Sequence, residues 1–152
     1  MADSKKNSIK FRINNIETLQ FAQLTEHVND DNLAIKVSFG FGHNSKIKSI
    51  RCKFRFELLS DKNPALIIEI AMDFGIIKES YDEMISNNGD FVIPKNFATH
   101  LAMIAVGTSR GILYEKTKET SLKSYFLPTI DITQRINEDI IIRIKQNADS
   151  VK

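Results

Sequence analysis

The stretch LAIKVSFGFG at 33–42 decides the fold. Leu33, Ile35, Val37, Phe39 and Phe41 share one parity, and Ala34, Lys36, Ser38, Gly40 and Gly42 share the other. That is the period of two expected of a strand that covers a core with one face and meets solvent with the other. The pattern recurs at Ile50, Cys52, Phe54, Phe56 and Leu58, set against Ser49, Arg51, Lys53, Arg55 and Glu57. After the turn residues Asp61, Asn63 and Pro64 it returns at Leu66, Ile68, Ile70, Met72 and Phe74.

Working outward, residues 16–25 are less regular, with Leu19 and Phe21 on one parity and Ile16, Ala22 and Leu24 on the other. They read as a strand that is bulged or buried on both faces. The links between these runs are too short for helical crossovers, so neighbours are expected to pair as antiparallel hairpins in a four-stranded meander. On the polar parity, Arg51, Lys53 and Arg55 oppose Glu69 and Asp73, and pairing across the strands would help fix the register.

Beyond the sheet, Glu79 to Ile85 suits a short helix stopped by Asn87, Asn88 and Gly89. Pro94 stands where a first helical residue belongs, and Phe97, Leu101, Ile104 and Thr108 follow at helical spacing, beside Ala98, Ala102 and Ala105. Gly107 weakens the end of this helix and Gly111 stops it, with Arg110 favourable at its carbonyl end. Residues 112–130 are expected to be an extended linker with a charged insertion at 116–123. Asp131 or Thr133 can cap a C-terminal helix carrying Ile132, Ile136, Ile140 and Ile144, although the β-branched run at 140–142 also permits a strand. The expected class is α+β: a four-stranded antiparallel meander packed with one long helix, a short helix and a C-terminal helix. All 152 residues form one domain in this reading, with 1–10 flexible.

Composition narrows the function. A charge of +2 from 21 basic and 19 acidic residues is too near neutrality to imply a nucleic-acid partner. The row Arg51, Lys53, Arg55 lacks the interleaved aromatics of a single-strand binder. No stretch is long and apolar enough to span a bilayer, and no apolar core follows Lys5, Lys6 and Lys10, so a cytoplasmic protein is expected. Cys52, the sole cysteine, lies on the core parity and reads as a quiet buried thiol. His27, His43 and His100 are scattered over three elements without metal spacing. The string Gly107, Thr108, Ser109, Arg110, Gly111 could cradle an anion, but it lies at a helix C-terminus and lacks a Walker lysine, so it reads as helix termination. Neither a cofactor, a metal nor catalytic residues are expected.

Taken in order, the strands, the Phe91-Val92-Ile93-Pro94 helix start, the Ser109-Arg110-Gly111 helix end and the stretch Leu127-Pro128-Thr129-Ile130-Asp131-Ile132 resemble the SecB family of export chaperones and their SecB-like relatives, including copies associated with toxin and antitoxin pairs. The resemblance covers the chain from residue 16 onward. It implies a homo-oligomer, a dimer that pairs into a tetramer, whose apolar grooves hold unfolded or partly folded polypeptide without ATP. Surplus Phe, Ile and Met beside a sheet edge agree with that, and Phe39, Phe41, Phe54, Phe74, Ile76 and Phe91 are the candidate lining residues.

The chain departs from export members, which have an acidic sheet surface and a metal-binding tail for docking to the secretion motor. Here the third strand is basic, the tail 146–152 has too few metal ligands, and 112–126 is long enough to reshape or cover a groove. The expectation is a SecB-like chaperone. The alternative is a structural or regulatory module on the same fold that binds one specific protein. An enzyme holding an acyl thioester between sheet and helix would also suit the architecture, but lacks a polar cluster.

Overall fold

The computed structural model describes residues 8–125 and 127–143. Four long strands, β1 (Phe11–Gln23), β2 (Leu33–Asn44), β3 (Ser49–Ser60) and β4 (Asn63–Ile76), form an antiparallel sheet in the order β1-β4-β3-β2. The last three make the expected hairpins. Asp61 and Lys62 turn the chain between β3 and β4 with φ of 50° and 67°, the left-handed pair that a tight hairpin demands. β1 instead lies beside β4, so residues 24–32 cross the end of the sheet to reach β2. Nine residues can span the three strand spacings, about 14 Å, that this crossing requires.

The irregular parity of β1 is explained by register shifts between Ile13 and Asn15 and between Thr18 and Gln20. Each extra residue rotates the strand, so that Ile13, Ile16 and Phe21 all pair with core-facing residues of β4. Asn14, in the first bulge, lies so close to Gly75 that a Cβ there would meet its carboxamide at 2.7 Å. Only glycine accommodates that approach without moving Asn14.

The core lies between the apolar face of the sheet and a helix. Following α1 (Lys78–Glu83) and β5 (Phe91–Ile93), the 23-residue α2 (Lys95–Thr117) packs on β3 and β4. Ala98, Ala102 and Ala105 are buried on its inner face, and such small side chains let its backbone lie close to the sheet. The amide of Lys95, just after Pro94, donates to the Asp139 carboxylate at 2.8 Å, a cap supplied from 44 residues away.

Two expectations are corrected here. Gly111 does not stop the helix, and 112–117 are helical rather than extended, because Leu113 and Thr117 are buried and continuing the helix keeps them so. Gly107 and Gly111 face open space, and their propensity cost of roughly 1 kcal/mol each is outweighed by that burial. The C-terminal helix is one turn, α3 (Ile132–Arg135), capped by Asp131. Ile140–Ile142 form strand β6, antiparallel to β5, where β-branched residues fit a pleated ladder better than a helix. Ile144 lies outside the described residues.

The face away from α2 is charged and paired as the sequence suggests. Arg51 on β3 holds Asp73 on β4 through two hydrogen bonds of 2.8 and 2.9 Å, and Arg55 bridges Glu57, Glu69 and Gln20. The Arg51 guanidinium keeps the Asp73 carboxyl below its ordinary range, assisted by Asn15 and opposed by partial burial. A depressed pKa means that the unfolded chain binds the proton more readily, so this pair stabilises the fold above the ordinary Asp value of about 4. That contribution disappears as pH falls through the lowered native value. Asp73→Asn should therefore flatten the acid limb of a stability-against-pH curve below about pH 5, measured by urea unfolding, while leaving the neutral limb's slope unchanged.

Candidate functional site

Sheet order makes β2 an edge strand, 12 residues long and paired within the sheet only to β3. Across from its free side runs the segment 129–135, which ends in α3. Two adjoining concavities of about 530 and 510 Å³ lie between them, sharing Ile35 and Arg135. Together they form a groove that wraps the strand edge. One wall comprises Ile35, Lys36, Val37 and Ser38, with Arg55 and Glu57 beyond, and the other comprises Thr129, Ile130, Asp131, Gln134 and Arg135. The Arg135 guanidinium reaches across to donate to the Val37 carbonyl at 3.5 Å.

The opposite wall is held by α2. Arg110 donates from Nε to the Leu127 carbonyl at 3.2 Å and from Nη2 to the Pro128 carbonyl at 3.3 Å. The helix runs on past it to Thr117, so it does not terminate the helix. Buried Leu127, Ile132 and Ile136 add apolar anchorage on either side of the segment.

Four of the six side chains expected to line a groove are spent on the core of the chain itself. Phe54, Phe74, Phe91 and Ile76 are buried within the chain. Phe54, Phe74 and Ile76 lie on the central strands β3 and β4, and Phe91 on β5 packs against His43 and Tyr81. Phe39 and Phe41 are half-buried on β2, and Phe39 leans on Phe54 with ring centres 5.1 Å apart. Ile35, four residues before Phe39 on the same face, is 42% exposed and is the apolar centre of the groove. Its parity was visible in the sequence, but its exposure follows from β2 being an edge.

Other exposed apolar residues lie elsewhere. Ile13, Ile16 and Leu19 are exposed along β1, the other edge, and Met103 and Tyr114 along the outer side of α2. Cys52 is buried with its thiol pushed up to about 12 by desolvation, which keeps it protonated and unreactive. His43 shares a 2.6 Å hydrogen bond with the Tyr81 hydroxyl and stacks on Phe91, and burial lowers its pKa. No group of three metal-ligating side chains occurs among the described residues. No described helix is long and apolar enough to cross a membrane.

The chain is similar to a SecB-like chaperone. That structure is the Mycobacterium tuberculosis Rv1957 SecB-like chaperone in complex with a ChAD peptide from the Rv1956 HigA1 antitoxin, at a TM-score of 0.49 and 12% identity, over 80% of this chain and 91% of that chain. No family model and no curated protein sequence matches the chain.

Proposed function

We propose that this chain is a SecB-like, non-catalytic binding module that takes an extended segment of one partner protein along β2. The supporting observation is Ile35, an exposed isoleucine on a long edge strand, set in a groove whose far wall is already formed. An extended polypeptide can add to a free strand edge through its backbone, with alternate side chains reading the pockets. One partner is favoured over many because the groove mixes few apolar side chains with Lys36, Glu57, Asp131 and Arg135. Fixed charges reject segments that lack the complementary pattern, whereas a promiscuous surface is broad, apolar and adaptable.

General holding of unfolded polypeptides is the second reading, favoured by the exposed residues of β1 and α2. In either reading a cytoplasmic homo-oligomer would cover part of those surfaces. Ile35→Asp separates the two. Against a library of extended synthetic peptides of about 10 residues, the module should bind a narrow set, and Ile35→Asp should weaken that binding at least about tenfold, some 1.4 kcal/mol, by isothermal titration calorimetry. Suppression of aggregation of several unrelated denatured proteins at subunit stoichiometry, undiminished by Ile35→Asp, would overturn the single-partner reading.

A further inference from the structure

The end of the sheet where β1 and β3 begin and β2 and β4 finish has a character unlike the rest of the surface. Two backbone bonds gather it: Ile76 N–H donates to the Lys48 carbonyl at 2.9 Å, and Ile77 N–H donates to the Lys10 carbonyl at 3.2 Å. At the tip of the β2–β3 hairpin stands Ile47, 61% exposed, between Lys46 and Lys48. The Asn44 side chain accepts from the amides of both Lys46 and Ile47, so the tip is pre-formed. Ile77, 42% exposed, stands across from it, with Lys78 following. Between them is a hollow of about 360 Å³, lined by Lys10, Phe11, Arg12, Asn14, Gly75 and Ile76 as well as the two isoleucines, and by no carboxylate.

The charge here is unbalanced. Lys48 and Lys78 share one carboxylate, Asp82, and no described carboxylate forms an ion pair with Lys10, Arg12 or Lys46. At the opposite end of the sheet the charges are mixed, with Asp61 bonded to Asn29 and Asn32 from the loop that carries Asp30 and Asp31, and Lys62 beside it in the turn.

We propose that this end docks on an anionic lipid surface, with Ile47 and Ile77 entering the boundary between headgroups and acyl chains, and Lys10, Arg12 and Lys46 meeting the headgroup phosphates. Apolar anchors ringed by long cationic side chains are what such a boundary accommodates, since lysine stems lie along apolar material while their ammonium groups stay in the polar layer. A polypeptide partner fits this end less well. The Ile76 and Ile77 amides are already bonded within the chain, so an added strand finds no ladder to join at this point. This surface is separate from the β2 groove and does not depend on it.

The test is vesicle co-sedimentation of the full chain with phosphatidylcholine alone and with about 30% phosphatidylserine added. Binding is expected only with phosphatidylserine, and it should weaken steeply as salt rises above roughly 0.15 M. Ile47→Glu and Lys46→Glu should each lower binding about tenfold or more, and Ile47→Leu should retain it. Both positions are exposed turn residues, so an unchanged circular dichroism spectrum checks that the fold persists. No phosphatidylserine-dependent binding, or binding indifferent to both charge-adding substitutions, would overturn the proposal. So would poly-L-glutamate binding at Lys46 and Ile47 in the absence of vesicle binding, which would assign the site to an acidic protein. Ile35→Asp should leave vesicle binding intact, so loss of the groove function and loss of the lipid site are read independently.

Discussion

Phe54→Ala should destabilise the chain by about 3–5 kcal/mol, the range for emptying a fully enclosed phenylalanine site. Phe54 has no exposed surface, lies opposite Phe39 on β2 and Ile70 on β4, and stands beneath the face covered by α2. Both neighbours are fixed in strands, so the space left by the ring collapses only in part, and the cavity adds to the lost transfer free energy. A domain of this size has about 5–15 kcal/mol in all, so much of the protein's stability would go. Urea unfolding should show the midpoint falling with little change in slope. Phe39→Ala, at a half-buried edge position, should cost clearly less. A groove role for Phe54 predicts the reverse: near-normal stability and weakened peptide binding.

This contrast shows what was legible in the sequence and what was not. Alternation at 33–42, 50–58 and 66–74 gave the hairpin-linked strands and the shared facing of their main apolar rows, because side-chain direction in a strand follows parity, although it did not mark Ile67 and Ala71, which are buried on the other parity. Whether a residue on the apolar face is enclosed depends on which strands are central. That was settled by β1 crossing to pair with β4, a long-range choice that local pattern does not record. Phe54 and Ile35 share a facing and differ in fate for this reason. The helix end failed in the same way. Gly107 and Gly111 carry a true local preference for stopping, and the burial of Leu113 and Thr117, contacts made with distant parts of the chain, overrides it. The groove was hidden further still, since Arg135 faces Ile35 only after α3 is reduced to one turn and β6 joins β5.

The second large effect belongs to Arg110. Arg110→Ala removes two charge-assisted hydrogen bonds to the Leu127 and Pro128 carbonyls and is expected to cost about 2–3 kcal/mol. Its consequence reaches beyond stability, because the segment it pins leads directly into 129–135, the far wall of the groove. With that fork gone, the wall is held by the packing of Leu127, Ile132 and Ile136 and by the long Arg135–Val37 contact, which fix position less strictly than a planar guanidinium bonded to two successive carbonyls. Peptide binding along β2 should therefore weaken further than the fraction of unfolded protein accounts for, when measured well below the unfolding midpoint. Arg110→Lys should recover only part of either property, since one ammonium on a flexible stem does not reproduce two bonds in a fixed plane. A full return of both stability and binding with lysine would show that charge alone matters at this position. A stability loss with peptide affinity unchanged would instead show that the wall keeps its place without the clamp, and that α3 and its apolar anchors set the groove by themselves.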